Sequence, residues 1–185
     1  EWPVIRFSQL QVGDTMTSAT LDLTTVGVAG SPDQGPGGLG IVPPGKAAAG
    51  ELRMVSWPEG RWYQVTSSLV GGLEQITDAQ EVSVLPNNPG GFAYVPAGSP
   101  GFASQHLIVA EWVQGDATRD RVAVYQVDSN GDPMIGSRKE FMTRFPRPWG
   151  AYFEPITGDY LFLSWGTGED RVYIVQGFVP PPPIE

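Results

Sequence analysis

One feature constrains this chain more than any other: a unit of about 50 residues occurs three times in succession, a period typical of repeat architectures. The first copy runs Gly38-Leu-Gly-Ile-Val-Pro43, Glu51-Leu-Arg-Met-Val-Ser-Trp57 and Arg61-Trp-Tyr-Gln-Val65. The second runs Gly91-Phe-Ala-Tyr-Val-Pro96, His106-Leu-Ile-Val-Ala-Glu-Trp112 and Arg121-Val-Ala-Val-Tyr-Gln-Val127. The third runs Gly150-Ala-Tyr-Phe-Glu-Pro155, Asp159-Tyr-Leu-Phe-Leu-Ser-Trp165 and Arg171-Val-Tyr-Ile-Val175. Each unit is a glycine, a short apolar run closed by proline, a turn, a run ending in tryptophan, and a run led by arginine. Connections absorb the unequal spacing, because strands are fixed by pairing and loops are not.

The runs are rich in aromatic and β-branched residues and are bounded by Gly, Pro or Asp, which predicts strands. Proline cannot donate to a ladder, so it suits the end of each first strand. A fourth strand is expected after each Arg-led one, near Glu81–Leu85 and Ser137–Phe141. Upstream, Val4–Val12 and Thr20–Val26 alternate like two further strands. Leu73–Leu85 is the one helix candidate, with apolar residues at 73, 76, 79 and 82. With 24 Gly and 18 Pro in 185 residues, the composition opposes a helical bundle and favours short strands with tight turns. Four strands per unit is the size of a β-propeller blade. The expected fold is therefore all-β: a partial blade and loop over residues 1–35, three propeller-like four-stranded blades over 36–178, and a Pro-rich tail over 179–185.

Residues Pro148-Trp-Gly-Ala-Tyr-Phe-Glu-Pro-Ile-Thr-Gly158, with Asp159-Tyr-Leu-Phe-Leu and Asp170-Arg-Val-Tyr-Ile-Val175, resemble a blade of the NHL-like β-propellers. Gly90–Pro100, Ala123–Pro133 and Trp149–Phe178 are similar to bacterial secreted or surface propeller-like proteins, many of which carry a PEP-CTERM type sorting anchor. The resemblance spans residues 36 to 178 and implies an extracytoplasmic protein, periplasmic, secreted or at the cell surface. No sorting signal follows in this sequence, and its start at Glu1 fits a processed form or a fragment.

Three blades and a part do not close a ring of four to eight. Three resolutions stand open: a fragment of a longer protein, two copies sharing a ring, or open faces covered by other proteins. Each implies a protein interface. The Pro180–Pro183 run predicts a stiff polyproline spacer.

Charge and composition narrow the chemistry. Eleven basic against 20 acidic residues leave a net charge of −9, which repels phosphate backbones and opposes nucleic-acid binding. No apolar run is long enough to span a bilayer as a helix. With no cysteine and only His106, thiolate zinc sites, Cys nucleophiles and two-His sites are excluded. Gly35-Pro-Gly-Gly-Leu-Gly40 has the spelling of a dinucleotide-binding turn, but Ile41-Val-Pro-Pro44 cannot open the helix such a turn needs. His106 lacks a nucleophile elbow to partner it and is expected at a strand edge. Asp128, Asn130 and Asp132 alternate like the start of a calcium loop, yet its twelfth position is Lys139; a polar turn is the other reading. Glu111, Asp116, Asp120, Glu154, Asp159, Glu169 and Asp170 supply carboxylates, of which only Glu154 falls on an expected inner strand.

The tryptophans and arginines of the repeat suit packing between blades, or an aromatic rim for sugars or a protein. Trp2, Trp62 and Trp149 lie off the repeated position and are candidate interface anchors, with Arg144 and Arg147 beside Trp149. Trp149 equally suits packing over the start of the third inner strand. The function expected is a non-catalytic binding or scaffold module, a subunit meeting a protein partner or its own copy and needing no cofactor beyond a possible Ca2+. The alternative is a divalent-metal-dependent lactonase-type hydrolase or a carbohydrate-binding propeller.

Overall fold

The computed structural model describes residues 4–9, 17–22, 35–70, 73–113, 116–164, 168 and 170–182. The fold is all-β. Strands β1 (Val4–Gln9) and β2 (Thr17–Asp22) pair as an antiparallel hairpin. Three antiparallel sheets follow in chain order. The first comprises β3 (Gly35–Ile41), β4 (Leu52–Trp57), β5 (Arg61–Val70) and β6 (Leu73–Val84). The second comprises β7 (Pro89–Tyr94), β8 (His106–Glu111), β9 (Arg121–Gln126) and β10 (Lys139–Thr143). The third comprises β11 (Pro148–Phe153), β12 (Tyr160–Ser164) and β13 (Arg171–Val175). Among the described residues no sheet closes on itself, and no helix is long and apolar enough to cross a membrane.

Several expectations change. The inner strands begin earlier than the repeated glycines, at Gly35, Pro89 and Pro148. The third sheet has three strands among the described residues rather than four. After β13 the chain turns back instead: Phe178 packs among Phe102, Phe141 and Phe153, and the Val179 N–H donates to Ser99 Oγ. The first residue of the tail, Val179, therefore lies against Ser99 and Gly158. Parts of the two upstream ranges, residues 10–12 and 23–26, lie outside the described residues.

The helix candidate Leu73–Leu85 is strand β6, and the deception has a cause. Ile76 pairs with Ser67 while Asp78 pairs with Thr66, so Thr77 is an extra residue on β6. The bulge brings Ile76 and Ala79, three apart, onto one buried face with Met54, Tyr63 and Val65. A bulged strand can thus imitate helical spacing.

Adjacent sheets pack face to face along the inner strands, β7 lying beside both β3 and β11. Alternation decides which residue enters which core. On β8, Leu107 and Val109 join Val55, Trp62, Phe92 and Tyr125 between the first and second sheets. Ile108 joins Val122, Phe153, Tyr160 and Phe162 between the second and third. Both faces of β8 are therefore buried, which is why its sequence is apolar without a break.

The repeat holds in three dimensions. Each inner strand slips register near its start, at the matching place between Pro36 and Gly38 and between Pro89 and Gly91, and one residue later in the third sheet, between Trp149 and Tyr152. There the strands approach so closely that a Cβ on Gly38 would lie 3.0 Å from Gly91 Cα, and one on Gly91 would lie 2.7 Å from Gly150 Cα. At Gly38 and Gly91 glycine is required because the next backbone occupies the space of a side chain.

Candidate functional site

Two features stand out, a tryptophan cluster at one end of the sheets and an uncovered face on the third sheet. Trp57 ends β4, Trp112 follows β8, and Trp149 is the second residue of β11, so all three meet where the inner strands begin. Trp57 and Trp112 stack with centroids 4.9 Å apart, and Trp149 stands edge-on to them at 5.7 and 5.9 Å. All three are half-buried. Trp149 occupies the repeat position of Gly37 and Gly90, and its ring lies where a side chain on Gly90 would stand. The indole N–H of Trp57 is buried without an acceptor among the described residues.

Arg147 joins this cluster. Its guanidinium carbon lies 5.7 Å from the Trp112 ring centroid, within cation–π range. Its backbone sits at φ 46, a left-handed conformation that favours Gly or Asn, and Asn88 holds the matching place before Pro89 at φ 54. Asp120 secures that conformation: Oδ2 accepts the Arg147 N–H at 2.8 Å while Oδ1 accepts the Val113 N–H at 2.8 Å. Arg144, at φ 69, is exposed nearby in sequence. Trp149 thus packs over the start of β7 and also keeps part of its surface in solvent. Trp2 and Trp165 lie outside the described residues.

Trp62 is not a surface anchor. It is fully buried, tilted against Phe92 at 4.5 Å, and its indole N–H donates to Asp132 Oδ1 at 2.8 Å. Asp132 also accepts Arg53 Nε at 2.8 Å and Gln64 Nε2 at 2.9 Å. Arg53 is itself 0% exposed, so this buried ion pair ties the first sheet to the loop between β9 and β10. The same geometry opposes a calcium site. A guanidinium already neutralises Asp132, and Asp128 Oδ1 accepts the backbone N–H groups of Asn130 and Asp132 at 2.8 and 2.9 Å. Asn130 offers its carbonyl to Arg53 Nη2. Asp128 Oδ1, both Asp132 carboxylate oxygens and the Asn130 carbonyl thus accept from protein donors, and no group of three metal-binding side chains occurs among the described residues.

Glu111, Glu154 and Asp116 are similarly committed. Glu111, 0% exposed, accepts from Tyr125 Oη at 2.9 Å, from Arg138 Nε at 2.9 Å and Nη2 at 2.5 Å, and from Asn87 Nδ2 at 3.2 Å. Burial, then the Glu111 charge, pushes the Tyr125 phenol above its ordinary range. The bond to Glu111 likewise raises Arg138. Glu154 closes the turn after β11, accepting from Ile156 and Thr157; the Thr157 N–H chiefly holds its carboxyl below the ordinary value. Asp116 caps a short 3-10 turn. His106 sits at the start of β8 with Nδ1 2.6 Å from Ser104 O, and Gly35–Gly40 lies within β3 rather than before a helix. Glu169 lies outside the described residues.

The uncovered face consists of the rows Tyr152–Leu161–Ile174 and Leu163–Val172. Tyr152 is 55% exposed, Leu163 43%, Val172 60% and Ile174 61%. The matching rows of the second sheet are Ala93–Ile108–Val124 and Gly91–Ala110–Val122, which the third sheet covers. In the first sheet they are Gly40–Arg53–Gln64 and Gly38–Val55–Trp62, covered by the second. Sequence reasoning missed this face and the Arg53–Asp132 pair, although alternation along the third repeat carried the signal for the first. No family model, curated protein or solved structure matches the chain.

Proposed function

We propose that this chain is a non-catalytic scaffold module of propeller-like blades, which binds protein through the open face of its last blade. The observation that carries the reading is the row of apolar side chains on β11, β12 and β13, at positions the two earlier sheets bury against a neighbour. A sheet face this apolar gains by being covered, since burying one large aliphatic side chain contributes on the order of 1.5–3 kcal/mol. The half-buried tryptophan cluster with Arg147 adds, at one end of the sheets, the side chains most common at interface hot spots. A lactonase-type hydrolase would need converging free carboxylates; Asp132, Glu111 and Asp120 instead end on protein donors. The kinship with NHL-like propellers and the extracytoplasmic location rest on the resemblance of the repeat, and fractionation of cells producing the protein tests the location.

The module is tested by comparing wild type with Val172→Asp and Ile174→Asp, each checked for native circular dichroism. Wild type is expected to run above 19.9 kDa or to bind a hydrophobic dye strongly. Both signals are expected to vanish in the variants. A monomeric wild type that binds no dye, and whose behaviour the variants leave unchanged, sinks the proposal.

A further inference from the structure

The two ends of the row of sheets are complementary. At the third sheet the face turned away from the second sheet is uncovered, and a side chain on Gly150 would meet nothing within 4 Å, whereas Gly38 and Gly91 each meet the next backbone. At the first sheet the opposite face is incomplete. The residues that matching positions drive into a neighbour are Leu39 and Ile41 of β3. Their counterparts on β7, Phe92 and Tyr94, pack against the first sheet, Phe92 with its ring 4.5 Å from that of Trp62. Leu39 and Ile41 are each 48% exposed. The rest of that face, Met54, Tyr63 and Val65 with Ile76 and Ala79 of β6, is already buried within the single chain, so the free part lies along the inner strand. Contacts between sheets in this chain also run mainly along the inner strands.

Resting on the reading above, we infer that the occupant of the third sheet's open face is the first sheet of a second copy, with Leu39 and Ile41 seated on Gly150, Tyr152 and Leu163. The contact is heterologous, and it repeats the inner-strand part of the packing that joins the sheets within one chain. A head-to-tail contact either closes into a ring or propagates as a filament. Three blades from each of two copies make a ring of about six, inside the four-to-eight range that propellers close. Two identical contacts then complete both ends at once.

The test uses the whole chain, with native mass measurement and circular dichroism on each variant. Wild type is expected as two copies. Val172→Asp, on one face, and Leu39→Asp, on the other, are each expected to weaken association by at least about tenfold, because a charge replaces an apolar contact. Tyr152→Asp and Ile41→Asp repeat the test should either first variant lose its fold. Mixing the two variants is decisive: each supplies the face that the other lacks, so the mixture is expected to recover a two-copy species. A dimer that Val172→Asp abolishes and Leu39→Asp leaves intact would be face-to-face and overturns the inference. Any other stoichiometry overturns it too. A monomer that still binds dye on the third sheet overturns it as well while leaving the proposed function standing, whereas a monomer that binds none removes both.

Discussion

The second and third sheets carry the same face in two conditions. On the second, Ile108 and Val122 are 0% exposed because Phe153, Tyr160 and Phe162 of the next sheet lie against them. On the third, the matching Leu161 is half-buried and Val172 is 60% exposed. The first sheet offers a third version, in which Arg53, Gln64 and Trp62 share the face and Asp132 arrives from the neighbour to answer all three. An apolar face and a polar one can therefore occupy equivalent positions, provided that the covering sheet supplies matching chemistry. What differs on the third sheet is the neighbour and not the kind of surface.

The largest expected effect separates the covered face from the open one. Ile108→Asp should destabilise by more than about 4 kcal/mol, since an unpaired charge would be buried, while Val172→Asp should cost the folded chain less than about 1 kcal/mol. Denaturant midpoints measure both, and similar losses would show that the third sheet's face is covered in solution. Next comes the polar version of the face. Asp132→Ala takes away the buried partner of Arg53, leaving it only the exposed Glu51 carboxylate, and should cost about 3–5 kcal/mol, whereas Glu81→Gln, at the exposed Arg61 pair, should cost under about 1 kcal/mol.

The glycines give a sharper and smaller contrast. Gly91→Ala pushes a methyl group against the Gly150 backbone and should cost about 1–3 kcal/mol with a shift between sheets. Gly150→Ala meets open space, so only its φ of +70 opposes it, at about 1 kcal/mol. If two copies close the ring as inferred above, that space is filled, and Gly150→Ala should then weaken association more than it lowers the melting temperature.

Two buried phenols make the finest comparison. Tyr125 donates to Glu111, and Tyr125→Phe should cost about 1–2 kcal/mol. The Tyr160 hydroxyl finds no partner among the described residues, so Tyr160→Phe should be neutral or slightly stabilising. Burial raises the Tyr160 phenol above its ordinary 10.0. A group raised in the folded state contributes stability below its unfolded value and loses it as pH rises, so the chain should weaken above pH 10, and Tyr160→Phe should flatten that slope in alkaline thermal melts.

Much of the fold is legible in the residues, and for local reasons. The strands β8, β9, β12 and β13 start within a residue of their expected positions, because dense β-branched and aromatic runs between turn residues leave few alternatives. Inner-strand starts were less legible. Their Pro-Gly openings look like turns, and only pairing with β4, β8 and β12 draws them into the ladder. The helical spacing of Leu73–Val84 misleads for the same kind of reason, since a bulge is a property of two strands together. Of the candidate site, Trp149 and Arg147 could be picked out as an aromatic and basic patch, but their meeting with Trp57 and Trp112 joins residues far apart in the chain. Trp62 is expected at the surface but is buried, and its burial and that of Asp132 go together because the indole N–H donates to the carboxylate, which Arg53 and Gln64 also reach.

By itself the sequence determined the repeated unit, the all-β class, the alternation that sorts side chains to two faces, and the glycines that let backbones touch. These follow from backbone sterics, pleat geometry and residue size, all of which act within a few neighbouring residues. Tertiary structure alone decided which carboxylates are spent on Arg53, Arg138 and Arg147, which tryptophans cluster, and which sheet is left without a neighbour. Those outcomes depend on what stands opposite a residue across a gap of a few ångströms, and hydrogen bonding and apolar burial are settled by that opposing surface.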